Sequence, residues 1–330
     1  MIKRDFLSIT DLSAKEIWQV LIWAKKLKIE LKTKGKNKPQ LIDKQMVMLF
    51  EKPSLRTKLS FDIAISQLGG HAVYFGPKEV GLGKRESIAD VSKVISSMAD
   101  LIVARVFSHQ DLESLSQNSR VPVINALSDI EHPCQVLADL MTIWEIKRKL
   151  KSLTLTYIGD GENNVSHSLS LGCALLGINF KCAAPDGFWM NKDIVNKARQ
   201  LALNSGAQIL ETDNPKEAVK GTDVVYTDTW LSMGDTDRNK RLKIFQPFQV
   251  NQSLMILAKK DAIFMHDLPA YRGNEVSAEV IDGPQSVVFR QAENRLHVQK
   301  ALLIWIFEGL TERISNVKLG GDSISICKKE

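Results

Sequence analysis

From about residue 46 onward, short apolar runs with strand character alternate with stretches of helical periodicity, and this alternation is the tightest constraint on the fold. In the first half the strand candidates are Met46–Phe50, His71–Phe75, Leu101–Val106 and Val121–Asn125. Between them, Leu59, Ile63 and Leu68 fall close to one helical face, as do Ile88, Val91, Ile95 and Met98. A longer helix is predicted from Pro133 to Lys149, with Pro133 in the first turn, where its missing N–H costs nothing. The polar run Lys147 to Ser152 then separates a second series. Its strands are predicted at Leu153–Ile158, Ile178–Ala184, Gln208–Leu210, Val224–Tyr226, Ile263–His266 and Ser286–Phe289, with a last helix from Ala292 to Leu310. Such a pattern calls for an α/β fold of two domains, each a mostly parallel sheet flanked by helices.

At 330 residues the chain is too long for one ordinary domain and suits two, with a boundary at 149/150. A composition of 44% hydrophobic and 25% charged residues excludes disorder and disulfide scaffolds, and predicts two cores. Cys134, Cys173, Cys182 and Cys327 have no metal-ligand or paired spacing, which points to reduced thiols in a cytoplasmic protein without a metal. The longest apolar stretch, Ala301 to Phe307, is far short of a membrane span. The net charge of +6 is lopsided: the first 60 residues carry 14 Lys and Arg against 6 Asp and Glu. Most of that excess is the run Lys25, Lys26, Lys28, Lys32, Lys34, Lys36 and Lys38, with Trp18, Leu21, Ile22 and Leu27 as the buried side of the same helix. The lysines therefore read as a solvated face, and no aromatic interleaving or known module supports nucleic-acid binding.

In parallel α/β folds ligands bind beyond the carboxyl ends of strands, so chemistry is sought in the strand-end loops. Glu51 to Lys58 follows the first strand and opens a helix, with Ser54 as N-cap and Arg56 and Thr57 in the first turn. Free N–H groups, hydroxyls and a guanidinium there make a phosphate site. Arg105 ends an apolar strand, and Glu131-His-Pro-Cys-Gln135 lies at the mouth of a helix. In the second half, Gly159-Asp-Gly-Glu-Asn-Asn164 resembles a dinucleotide fingerprint but has Asn164 in place of the third glycine. Asp228 to Gly234 offers a carboxylate and a hydroxyl for an ammonium group. His266-Asp-Leu-Pro269 and Glu293-Asn-Arg295 complete the set.

Taken in order, these motifs resemble the aspartate/ornithine transcarbamylase family over about residues 3–312, most closely its ornithine-using branch. The resemblance implies carbamoyl transfer from carbamoyl phosphate to L-ornithine, giving citrulline and phosphate, in a homotrimer or a multiple of trimers and without a cofactor. It implies a carbamoyl phosphate domain, 1–149, with the helix 292–312 packing back on it, an ornithine domain, 150–291, and a tail, 313–330. Carbamoyl phosphate would be held by Ser54, Leu55, Arg56, Thr57, Gly81, Arg105, His132, Gln135, Asp267, Leu268 and Arg295, with Arg105, His132 and Asp267 catalytic. Ornithine would be held by Asn164, Asp228, Ser232 and Met233. The loop Gly83 to Ser87 is where the family closes its trimer's sites from a neighbouring chain.

Three positions depart from the family pattern: Leu55 for Thr, Lys58 for Arg and Asp267 for Cys. Lys58 keeps the charge but loses the planar fork. Asp267 places a carboxylate where a phosphate dianion is expected, which raises its pKa or weakens binding, or lets it accept the proton of the attacking amine. This keeps open another amine acceptor, putrescine or an acylated ornithine, and a weakly active or non-catalytic chain. A dinucleotide-dependent oxidoreductase is the rival from another class.

Overall fold

A computed structural model of the chain describes residues 3–83, 86–231 and 238–308. The first half contains β1 (Gln45–Phe50), β2 (His71–Phe75), β3 (Leu101–Arg105) and β4 (Val123–Leu127), all parallel, in the order β2-β1-β3-β4. The second contains β5 (Thr154–Ile158), β6 (Asn179–Ala183), β7 (Ile209–Thr212), β8 (Val224–Tyr226) and β9 (Ile263–Met265), parallel in the order β7-β6-β5-β8-β9. The two-sheet α/β architecture expected from the alternation is present. In each sheet the first strand has its sequence successor on one side and a later strand on the other. The order therefore reverses between β1 and β3 and again between β5 and β8.

Two predicted elements change. Val121 to Pro122 precedes the sheet, because proline has no N–H for the ladder, and β4 starts at Val123. Ser286–Phe289 is not a strand: Ser286 makes a single bridge to Phe264, and the helix Val288–Glu308 begins at once, four residues before the predicted start. The β-branched pair Val287-Val288 has strand propensity, but a 21-residue helix that buries Val288, Val298 and Leu302 overrides it.

The expectation of two separate cores also changes. One continuous cluster runs from Phe6 and Met48 through Leu137 and Met141 to Leu155, Tyr226 and Leu302, and smaller clusters lie under β9 and against the outer face of β3. The helix Pro133–Lys147 makes the join, since every residue from Pro133 to Trp144 is buried. It packs against the helices Asn164–Leu176 and Val288–Glu308, and the latter also lies on Ala14–Lys34 and Leu55–Gln67. On Leu55–Gln67 the inward face is Thr57, Phe61, Ala64 and Ile65, whereas Leu59 is 54% exposed. Among the described residues, no helix is long and apolar enough to cross a membrane.

The lysine run is not uniformly solvated. Lys28 is buried, bonded to Glu145 Oε2 at 3.0 Å and Asn294 Oδ1 at 2.6 Å, because the N-terminal helix turns this position onto Val288–Glu308. Lys300 is likewise buried, between Asn37 at 2.5 Å and Gln67 at 2.9 Å. Beside them lies buried His297, with Glu293 at 3.7 Å; burial, then the charges of Lys300 and Lys28, push it down to about 3. The unfolded chain thus takes up this proton first. The His297 contribution to stability is full above about pH 6.5 and is lost as pH falls toward the folded value. Asp139, pushed up to about 7 by burial, acts in the opposite sense over the same window, so a difference measurement is needed. Relative to wild type, His297→Gln should gain about 2 kcal/mol on going from neutral pH to about pH 5 in denaturant unfolding.

Candidate active site

Loops leaving the carboxyl ends of β1 and β3 diverge, as do those leaving β5 and β8, and each divergence opens a crevice. After β1, Ser54 caps the helix Leu55–Gln67: its Oγ accepts from Thr57 N at 3.3 Å and lies 3.0 Å from Thr57 Oγ1. The Leu55 side chain is 76% exposed, so this residue can offer the crevice only its first-turn N–H. Arg56 is half-buried in the same turn. Lys58 points elsewhere, its Nζ 3.6 Å from the Tyr74 ring centroid.

Thr57 is buried, and its Oγ1 accepts from Arg295 Nη2 at 2.6 Å. Arg295 Nη1 donates to Gln135 Oε1, and Gln135 Nε2 donates to Asp139 Oδ1 at 2.8 Å. Asp139 also accepts from Gln291 at 2.7 Å and from the Tyr226 hydroxyl at 3.2 Å. A bonded chain thus ties the helix after β1 to the one after β4, to Val288–Glu308 and to β8, and it aims the Arg295 guanidinium.

Arg105, at the end of β3, has no hydrogen bond or ion pair from its guanidinium to a described residue, and its Nε is buried unpartnered. Burial, then the charges of Arg295 and Arg56, lower it to about 10, against the pull of Asp267. His132 is buried at the N-cap of Pro133–Lys147. Its backbone N–H donates to Ser168 Oγ at 2.9 Å, and its ring Nδ1 has no partner among the described residues. Burial, then Arg295 and Arg105, hold it well below the usual imidazole range, so the ring is neutral at physiological pH. Three guanidinium groups and a neutral imidazole therefore share one electrostatic neighbourhood.

The second crevice is anionic. Asp228, just past β8, accepts from Asn163 Nδ2 at 2.7 Å and from Thr229 N at 2.6 Å. Burial and then the charge of Asp267 raise it well above the ordinary carboxylate range. One ligand atom from each of Asp228, His266 and Asp267 can be chosen so that all lie within 4.8 Å of one another. Asp267 Oδ1 is buried without a hydrogen-bond partner among the described residues, 3.5 Å from His266 Nδ1. His266 Nε2 lies 3.4 Å from Glu275 Oε1, and Leu268 N donates to Nδ1 at 2.9 Å. The Leu268 N–H favours a neutral ring and the three carboxylates favour a cation. Although burial opposes the charge, Asp267 and Glu275 thus push His266 up to about 9, and His266 keeps Asp267 the ionised member of the pair.

Between the crevices, Asn164 Nδ2 donates to Ser128 O at 2.6 Å, fastening the loop after β5 to the loop after β4. Gly159 has φ 135°, and a Cβ on Gly161 would lie 2.5 Å from Phe188 O. Both glycines thus answer to the protein's own packing rather than to a bound pyrophosphate. Gly161→Ala should cost about 2 kcal/mol in unfolding free energy, because the opposing atom is backbone and cannot step aside.

Arg56, Thr57, Arg105, His132, Gln135, Asp267 and Arg295 come together in this way, with Asp228 close enough to act on Arg105, whereas Asn164 is fastened to the loop after β4. Gly81, left-handed at φ 45° after the short helix Pro77–Val80, is joined to them by no contact among the described residues. Ser232 and Met233, Lys84 and Arg85 of the Gly83–Ser87 loop, and the tail lie outside the described residues. Asn163, Asp139, Gln291 and Glu275 are site residues that the motifs do not single out. Gln135 with Asp139 and Gln291 with Arg295 are i,i+4 pairs, a spacing that could have disclosed two of them.

The carbamoyl-P binding domain of aspartate/ornithine carbamoyltransferase, taken as a sequence family, matches residues 4–145, and the Asp/Orn binding domain matches residues 151–306. The chain is 47% identical over 302 residues to the ornithine carbamoyltransferase of Anoxybacillus flavithermus, covering 91% of this chain and 96% of that protein. It is 48% identical over 308 residues to the anabolic ornithine carbamoyltransferase of Pyrococcus furiosus, covering 93% and 97%. The solved ornithine carbamoyltransferase of Pyrococcus furiosus is similar throughout, with a TM-score of 0.90 at 47% identity over 94% of this chain and 100% of that one.

Proposed function

The chain belongs to the aspartate/ornithine carbamoyltransferase family, and from that premise we propose that it transfers the carbamoyl group of carbamoyl phosphate to the δ-amine of L-ornithine, giving L-citrulline and phosphate. The observation that carries this reading is Arg105, a cation held beside Arg295 and Arg56 with no hydrogen-bond or ion-pair partner among the described residues. Such clustering is unfavourable in the empty site and becomes favourable when a dianion enters.

On this reading the phosphate sits at the first turn of Leu55–Gln67, against Ser54, Thr57 and the first-turn N–H groups, including that of Leu55. Arg56, Arg105 and Arg295 neutralise it. His132, neutral, donates one hydrogen bond to the carbamoyl oxygen, and Gln135 and the Leu268 carbonyl take the carbamoyl amide. Asp228 and Asn164, with Ser232 and Met233, hold the α-ammonium and α-carboxylate of ornithine. The neutral δ-amine attacks the carbamoyl carbon and an oxyanion forms. The tetrahedral intermediate then collapses as the C–O bond to phosphate breaks, and the proton of the attacking nitrogen passes to the departing phosphate. The cations meet more charge on the departing phosphate than on the bound substrate, and this difference accelerates the reaction. Holding both substrates in one cleft removes much of the entropic barrier.

The same reading assigns residues 1–149, with the C-terminal helix, to carbamoyl phosphate and 150–291 to ornithine. A homotrimer is supported by an exposed apolar stripe, Leu55, Leu59 and Ile63, and by Met98, which is 75% exposed. Three buried free cysteines fit a cytoplasmic protein. The test is a steady-state citrulline assay from about pH 6 to 9, run beside putrescine and aspartate as acceptors. Ornithine should exceed either by about 100-fold or more in kcat/KM, because a diamine leaves the α-carboxylate donors unpaired. A preference for putrescine, which the second carboxylate at Asp267 would favour, overturns the acceptor assignment, and product from none of the three overturns the activity.

A further inference from the structure

Away from the cleft, a cavity of about 340 Å³ opens where the helix Ala14–Lys34, the end of Pro133–Lys147 and the start of Val288–Glu308 meet. Its lining consists of charged residues only. Five are cations, Lys25, Lys28, Lys32, Arg148 and Arg290, and two are carboxylates, Glu145 and Glu293. Both carboxylates are already engaged. Glu145 accepts from Lys28 at 3.0 Å and Asn294 at 3.1 Å, while Glu293 pairs with Lys32 at 2.8 Å and Lys28 at 3.5 Å. Lys25 faces the Trp144 ring at 4.6 Å and pairs with no carboxylate among the described residues. Arg148 and Arg290 have neither a hydrogen bond nor an ion pair from their guanidinium groups to any described residue.

Three positive charges are therefore left over around a space large enough for a small ligand. With no apolar wall, the cavity has nothing for a hydrophobic body. Two free guanidinium forks suit oxyanions held by paired N–H bonds. We propose that this cavity is a second anion site, for a compact ligand carrying three or more negative charges, a phosphoric anhydride or a tricarboxylate. Its place in the chain gives it a lever. The backbone passes from the first sheet to the second just after Arg148 and returns just before Arg290, so a bound anion ties both crossings to the N-terminal helix. Glu293 and Arg290 face this cavity while Gln291 and Arg295 of the same helix face the cleft, so the two sites are distinct. The proposal does not depend on the identity of the reaction.

The test is calorimetric titration of the whole chain at constant ionic strength with inorganic pyrophosphate and, separately, citrate. Acetate serves as a monovalent control. Pyrophosphate should fill two sites per chain, because the cleft cations also bind it. Arg105→Ala should remove one site, and Arg148→Glu/Arg290→Glu should remove the other while citrulline formation without added anion stays unchanged. If the double variant does not fold, Lys25→Ala and Arg290→Ala singly should each weaken the second site about tenfold. Pyrophosphate binding in the Arg105→Ala background without citrate binding assigns the phosphoric class, and the reverse assigns the tricarboxylate class. The proposal fails if Arg105→Ala abolishes all pyrophosphate binding and citrate does not bind. It also fails if the cavity variants titrate like wild type.

Discussion

Arg105→Ala lowers kcat/KM for carbamoyl phosphate by about a thousandfold or more, and it does so without loss of fold stability. The two halves of this expectation have one cause. Arg105 is a cation at the end of β3 whose guanidinium meets no fixed hydrogen-bond partner among the described residues, and its nearest charged neighbours include Arg295 and Arg56. In the free protein these charges repel, so removing one relieves the site, and the thermal midpoint should stay level or rise. On the proposed reading, the same group faces in the transition state a leaving phosphate that gains negative charge as the C–O bond breaks, so its loss falls on the chemical step. Carbamoyl phosphate should raise the midpoint of wild type and have little effect on the variant, since only the wild type retains the full cation set. A loss of activity below about tenfold, with ligand stabilisation intact, would remove Arg105 from the phosphate site.

What could be read from the sequence divides along physical lines. Strands β2 and β8 match their predicted spans, because each is a local apolar run with clear edges. The strand-end loops were legible for the same reason: Ser54 three residues before Thr57, and an arginine closing an apolar strand, are local signals. Which loops face one another was not local. It follows from where the strand order reverses, and that depends on pairing between β1 and β3, some fifty residues apart.

The residues missed are those whose partners are remote in the chain. Gln291 meets Asp139 across 152 positions. Lys28 sits in a run of lysines whose spacing gives no hint that this one would be paired to Glu145 and Asn294. Helical periodicity also favoured Leu59 and Ile63 over the smaller Thr57 and Ala64 as a packing face, whereas close approach of Val288–Glu308 requires small side chains there. Glycines 159 and 161 carried the opposite lesson. A local pattern suggested a nucleotide, and packing against Trp230 and Phe188 accounts for both.

Asp267→Cys should raise kcat/KM for ornithine by about tenfold on the acid side of the pH profile, with the gain shrinking as pH rises. Each unit by which a carboxyl pKa moves is worth tenfold in the fraction ionised at fixed pH. In wild type, burial and then the charge of Asp267 raise Asp228, so the pair retains a proton to higher pH than a lone carboxylate. On the proposed reading the ornithine α-ammonium requires Asp228 ionised, so affinity should climb with pH until that proton is lost and be level above it. With the second carboxylate gone, Asp228 ionises at lower pH and the climb moves to the acid side; titration of the δ-amine is common to both proteins and cancels in the ratio. The KM for carbamoyl phosphate should fall in the variant too, because one negative charge leaves the neighbourhood of Arg105 and Arg295. That charge also balances the two arginines when the site is empty, so the ligand-free variant should melt earlier and recover when carbamoyl phosphate is added. Asp267→Asn, which keeps the shape and removes the charge, should reproduce all three effects. If neither variant changes the pH dependence or either KM, Asp267 is a neutral replacement, and the acid limb of the wild-type profile belongs to another group.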